Sequence, residues 1–178
     1  LIGNSIEQFS LIIALMLFAM GVAGFAQRYL VTPHLADLFV LIEIVLGVVG
    51  GASALLLYLA FSWMWHFELV LYGLAFGIGF LIGTEIPLLM RLNQRWQPEL
   101  RENLGQVFSL DYVGALGGAL VWAWLLLPLL PLNQIGAILG LINLAVAGAT
   151  LIAFWGRLHR RWTLVGTLLV ATVGRSEE

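Results

Sequence analysis

Apolar stretches close to 20 residues long recur along this sequence, and they limit what it can fold into more than any other feature. As a helix, a run of that length crosses a hydrocarbon core of about 30 Å. Five such runs stand out, at 8–27, 37–60, 67–90, 106–127 and 135–155. A sixth, 163–174, has 12 residues and is too short to cross alone unless the bilayer thins or the run continues. Composition agrees. Of 178 residues, 61% are hydrophobic and 10% charged, and the mean hydropathy is +1.00. A water-soluble domain carries far more charge. The runs do not alternate apolar and polar residues, which excludes a membrane β-barrel. The expected fold is all-α: a polytopic transmembrane helix bundle with five spans plus a short sixth, forming a single membrane domain over 1–178.

The arginines give an orientation. Arg28 falls between the first two runs. Arg91, Arg95 and Arg101 fall between the third and fourth, and Arg157, Arg160 and Arg161 follow the fifth. The loops at 61–67 and 128–134 carry none, so seven of eight arginines lie on one side. By the positive-inside rule that side is cytoplasmic, and residue 1 is on the far side. The hydrophilic stretch 91–105, "RLNQRWQPELRENLG", is expected to hold a short amphipathic helix in the cytoplasmic interface. Trp63, Trp65, Trp96, Trp155 and Trp162 sit near run ends, as interfacial anchors do.

Glycines four apart occur at Gly73/Gly77, Gly79/Gly83, Gly114/Gly118 and Gly136/Gly140. Small residues at this spacing let helix backbones approach closely in lipid. These pairs are expected to form packing seams within the chain, or an interface with another subunit or a second copy.

Three carboxylates interrupt the apolar runs: Glu43 in "LIEIVLG", Glu85 in "GTEIPLLMR" and Asp111 in "SLDYVGAL". Each lies about six residues inside the arginine-bearing end of its run, or roughly 9 Å deep at 1.5 Å per residue. A charged group at the centre of the bilayer costs about 2.5–3.5 kcal/mol on insertion scales, so such groups face protein and find partners. One resolution is ion pairing with Arg28, Arg91 or Arg101 reaching down from the interface. The other is a polar site for a cation or a proton. Pro87 adds to the second, because it has no N–H and frees the carbonyl of Gly83 from its helix bond. As a plain alternative, Pro87 is a tolerated helix kink. Glu68, at the far mouth of its run, reads as interfacial.

Other chemistry is thin. There is no cysteine, so disulfides, iron–sulfur clusters and thiol catalysis are excluded. His34, His66 and His159 lie in or near loops, far apart. No metalloprotease, nucleophile-elbow or phosphate-loop motif is present. No metal site or cofactor is expected. A net charge of −2 gives no reason to expect nucleic acid. No internal repeat marks an inverted-repeat transporter. No secretory signal is apparent, and with Leu1 first and "GRSEE" last the expectation is a processed chain or part of a longer one.

The segments "LIGNSIEQFS", "LFAMGVAGFAQRYL", "FVLIEIVLGVVGGASALLLYLAF", "IGTEIPLLMR", "LDYVGALGGAL" and "GLINLAVA" resemble, in order, the integral-membrane half of bacterial spermidine synthase-like proteins. The likeness covers about 1–155. "GTEIPLLMR" and "LDYVGAL" carry most of it. The resemblance implies a polyamine aminopropyltransferase parent in a bacterial cytoplasmic membrane. Family members usually have one more span before "LIGNSIEQFS" and a soluble Rossmann-like catalytic domain after the spans. Neither has a match in this chain, so no catalytic residue is carried over. If 163–174 spans, the end of the chain faces away from the cytoplasm; if not, it stays beside Arg157–Arg161.

Three functions follow as expectations. The first is a non-catalytic membrane domain that anchors a spermidine synthase-like protein and binds a polyamine through its buried carboxylates. The second is a structural or accessory subunit of a larger membrane assembly. The third is a small transporter.

Overall fold

A computed structural model describes residues 2–29, 34–62, 67–94 and 96–153. The short sixth run, Arg95, Arg157, Arg160, Arg161, His66, His159 and the anchors Trp63, Trp65, Trp155 and Trp162 lie outside them. Helix α1 covers Ile2–Ala26 and ends in a tight 3-10 turn, Gln27–Tyr29. Helices α2 (Leu35–Ser62) and α3 (Phe67–Asn93) follow. Helix α4 (Leu100–Val121) continues through a π-helical turn, Trp122–Leu126, into the short α5 (Leu127–Leu129), and α6 covers Leu132–Ala153. Five of these stretches are long and apolar enough to cross a membrane, the fourth running without a break from Leu100 to Leu129.

Helix is the expected answer to an apolar solvent, because it satisfies each backbone donor and acceptor within the segment. Hydroxyls in the apolar runs do the same. Ser53 Oγ donates to the Gly50 carbonyl at 2.6 Å, Ser109 Oγ to Gly105 at 2.6 Å and Thr150 Oγ1 to Val146 at 2.9 Å. The π turn precedes Pro128 and is closed by the Leu127 N–H donating to the Trp122 carbonyl. Leu130, held extended by the proline after it, ends the fourth span.

The helices are longer than the apolar runs at their arginine-bearing end. The stretch 91–105 forms no helix of its own. It is divided between the end of α3 and the start of α4, with a turn between. The physical reason lies in its residues: Arg, Leu and Glu are good helix formers and simply extend both helices beyond the apolar level.

Packing is most extensive between α2 and α6, α1 and α3, and α2 and α3. Phe39 and Ile42 of α2 meet Leu88 and Leu92 of α3, and Val40 and Ile44 meet Ala147 of α6. Glycines set the two closest crossings. A Cβ on Gly79 would lie 2.7 Å from the Met16 carbonyl oxygen, and one on Gly83 would lie 2.5 Å from Met20 Cα. Both numbers advance together, so α1 and α3 run parallel. A Cβ on Gly140 would lie 2.5 Å from the Gly47 carbonyl oxygen, and Gly136 sits against Gly51. Here the numbers run oppositely, so α2 and α6 are antiparallel. Gly47 and Gly51 are themselves four apart, a pair the sequence reading passed over.

The other two pairs line no crossing among the described helices. A Cβ on Gly73, Gly77, Gly114 or Gly118 would meet nothing within 4 Å. These residues form no seam among the described residues, because their faces point away from the neighbouring helices. Helix α4 is the extreme case: the most apolar stretch of its span has no buried residue.

Candidate functional site

The carboxylates converge from three helices, but into unequal surroundings. Glu43 is buried on α2, 7% exposed, flanked by the core residues Ile42 and Ile44. Glu85 is half-buried on α3, and its Oε1 is fully enclosed with no hydrogen-bond partner. Asp111 is exposed on α4. Glu43 and Asp111 are both close enough to act electrostatically on Glu85. Glu43 lies eight residues after the start of α2, and Glu85 eight before the end of α3. That is about 12 Å from each helix end. Asp111 lies 11 residues into α4, or about 17 Å. The longer helices therefore place the acids farther from the helix ends than the run boundaries did. Asp111 is exposed, and no helix among the described residues covers that side of α4.

The arginines sit above this level. The Arg28 guanidinium lies 3.6 Å from the centre of the Phe25 ring and 4.5 Å from that of Tyr29. It also donates to the Tyr29 hydroxyl. Ring faces attract a guanidinium electrostatically, so this cation already has an anchor. Arg91 is half-buried near the end of α3, and Arg101 is exposed in the first turn of α4. None of the three donates to Glu85 Oε1.

Pro87 lies inside α3 without ending it. Beside this point Gln27, 6% exposed, reaches from the end of α1 and donates through Nε2 to the Thr84 carbonyl at 3.0 Å. The Thr84 hydroxyl donates to the Leu81 carbonyl at 2.6 Å. Gln27 Oε1 is enclosed and, like Glu85 Oε1, has no partner. Two buried acceptors without donors thus lie on neighbouring elements: Gln27 bonds the Thr84 carbonyl, and Glu85 directly follows Thr84 on α3. Unpaired buried acceptors cost about 1–3 kcal/mol each, so a bound donor there is favoured.

Asn103, 2% exposed, fastens α4 to α3. Its Nδ2 donates to the Met90 carbonyl at 2.8 Å, and its Oδ1 accepts from Asn93 Nδ2 at 3.0 Å. Between α1, α3 and α4 lies a cleft of about 490 Å³, lined in part by Gln27, Arg28, Arg91 and Asn103. Gln27 and Asn103 were missed as site residues. The signal was present for Gln27, a polar residue closing an apolar run. Asn103 was hidden among the hydrophilic residues of 91–105. Among the described residues, no three His, Asp or Glu side chains are grouped as metal ligands would be.

Comparison with known proteins adds a second line. The chain is 42% identical over 169 residues to polyamine aminopropyltransferase 2 of Ralstonia nicotianae, covering 94% of this chain and 33% of that protein. It is 40% identical over 177 residues to polyamine aminopropyltransferase 1 of Streptomyces coelicolor, covering 96% and 33%. The polyamine aminopropyltransferase of Leptospira interrogans is 40% identical over 147 residues, covering 83% and 29%. The chain spans about a third of the length of these curated relatives. No family profile and no solved structure matches it.

Proposed function

We propose that this chain is the non-catalytic, membrane-spanning part of a polyamine aminopropyltransferase-type protein. In this reading it anchors that protein in a bacterial cytoplasmic membrane, with the arginine-bearing loops in the cytoplasm. It receives a polyamine ammonium group at Glu85, with Glu43 and Asp111 supplying the surrounding negative field. The observation that carries the reading is the enclosed, unpartnered Glu85 Oε1 flanked by two further acids. An ammonium group brings three donors and a positive charge, which is what such an acceptor lacks. Homologues named polyamine aminopropyltransferase support the choice of a polyamine over other cations. Equilibrium binding of labelled spermidine to the full-length protein in lipid nanodiscs tests the reading. Saturable binding to wild type and its loss in Glu43→Gln and Glu85→Gln support it; no saturable binding to wild type overturns it.

A second reading draws on α4. An exposed Asp111 together with Gly114 and Gly118, which touch nothing, supports a role in assembly with another membrane helix. Small residues allow close approach, and a partner would remove Asp111 from lipid. Crosslinking from a cysteine at Gly114 to a second polypeptide distinguishes this reading from a solitary anchor.

A further inference from the structure

The cleft between α1, α3 and α4 has the opposite character to the carboxylate site. Two guanidinium groups, Arg28 and Arg91, line it, together with the polar Gln94, and no carboxylate does. Its volume of about 490 Å³ falls in the range of small-ligand sites, about 300–1,000 Å³. Met90 and Leu100 add an apolar part to the lining. Arg28 is pre-positioned by its rings and donates to the Tyr29 hydroxyl, and a guanidinium has five donors in all. The enclosed Gln27 side chain closes one wall.

We propose that this cleft binds the phosphate of an anionic phospholipid headgroup. The chemistry required is a phosphate with no cationic group beside it, since a choline ammonium would be repelled by the arginines, and guanidinium groups bind phosphate oxygens through parallel hydrogen bonds. The source is lipid because the cleft lies at the ends of apolar helices, where headgroups are, and because Met90 and Leu100 suit the glycerol and upper acyl carbons. Basic pockets between membrane helices bind anionic headgroups by this physics. The inference does not depend on the polyamine site.

The test is thermal melting of the full-length protein in nanodiscs of phosphatidylcholine alone, or of phosphatidylcholine with an equal part of phosphatidylglycerol. The expected result is a rise of about 2–4 °C with phosphatidylglycerol. The Arg28→Gln/Arg91→Gln double variant should lose that rise, and Arg101→Gln, outside the cleft, should keep it. Gln94→Glu, which puts a carboxylate on the lining from an exposed turn, should also lose it, and it serves where the double variant does not fold. Equal melting in the two lipids overturns the proposal, as does an equal loss in Arg101→Gln, which would mean general surface charge. If inorganic phosphate added to phosphatidylcholine discs gives the whole rise, the lipid assignment is wrong.

Discussion

Gln27 donates through Nε2 to the carbonyl oxygen of Thr84 at 3.0 Å, joining residues 57 positions apart in the chain. The bond lies within one turn of Pro87, where the α3 ladder lacks a donor. It ties the end of α1 to the weakest point of α3 and sits next to Glu85. The donor is therefore structural, and its replacement should be felt.

Gln27→Glu should destabilise the protein by about 1–3 kcal/mol, because it sets an acceptor against an acceptor. Gln27→Leu should cost less, since it removes the unpartnered Oε1 along with the donor. Thermal melting of both variants checks the order. If neither variant melts below wild type, the Thr84 bond contributes nothing.

Glycine substitutions should divide sharply. Gly83→Ala and Gly140→Ala place a Cβ 2.5 Å from backbone atoms of a neighbouring helix, and overpacking of this kind costs about 1–3 kcal/mol. Gly114→Ala meets nothing and should be neutral or slightly stabilising in the isolated protein, as alanine favours helix. Denaturation in detergent reads the difference. Equal effects at all three positions would contradict the seams.

Asn103→Ala should cost about 0.5–1.5 kcal/mol by removing the bonds to the Met90 carbonyl and Asn93 that fasten α4 to α3, although the Met90 carbonyl keeps the Gln94 N–H and Asn93 keeps Gln106. It should also loosen the start of α4, making the turn at 94–99 more sensitive to protease. Ser109→Ala, whose hydroxyl bonds only within its own helix, should change stability by less than about 0.5 kcal/mol. Unchanged protease sensitivity in Asn103→Ala would show that other contacts hold α4.

Orientation is checked by cysteine labelling. A cysteine replacing Asn133 should react with an impermeant thiol reagent from outside the cell, and one replacing Gln94 should not. The opposite pattern would reverse the membrane topology drawn from the arginines.

Much of the fold was legible because run length in an apolar solvent nearly dictates helix. Spacing also pointed to Gly79/Gly83 and Gly136/Gly140. It could not distinguish them from Gly73/Gly77 and Gly114/Gly118, because the GxxxG spacing is the same whether a neighbour is present or not. That neighbour is a tertiary fact: Met16 and Met20 in one case, Gly47 and Gly51 in the other. Glu85 was legible as an anomaly in lipid. Its closeness to Glu43 and Asp111 followed from counting residues from the run ends, whereas the exposure of Asp111 depends on how α4 packs. Gln27 was signalled only by closing an apolar run, and Asn103 was illegible as a site residue because a polar side chain among hydrophilic neighbours at a helix end is usually solvated.

The central claim is that Glu85 accepts a cationic amine, and melting of wild type and Glu85→Gln with and without spermidine tests it most directly. At a hundred times the dissociation constant a ligand adds about 2.7 kcal/mol of stability, which on melting is a shift of several degrees. The account predicts that shift in wild type. It predicts that Glu85→Gln folds and melts no lower than wild type without spermidine, because the amide keeps the shape and removes a charge that lies near two other acids. It predicts no spermidine shift in that variant. A shift of the same size in Glu85→Gln, or none in wild type, would contradict it.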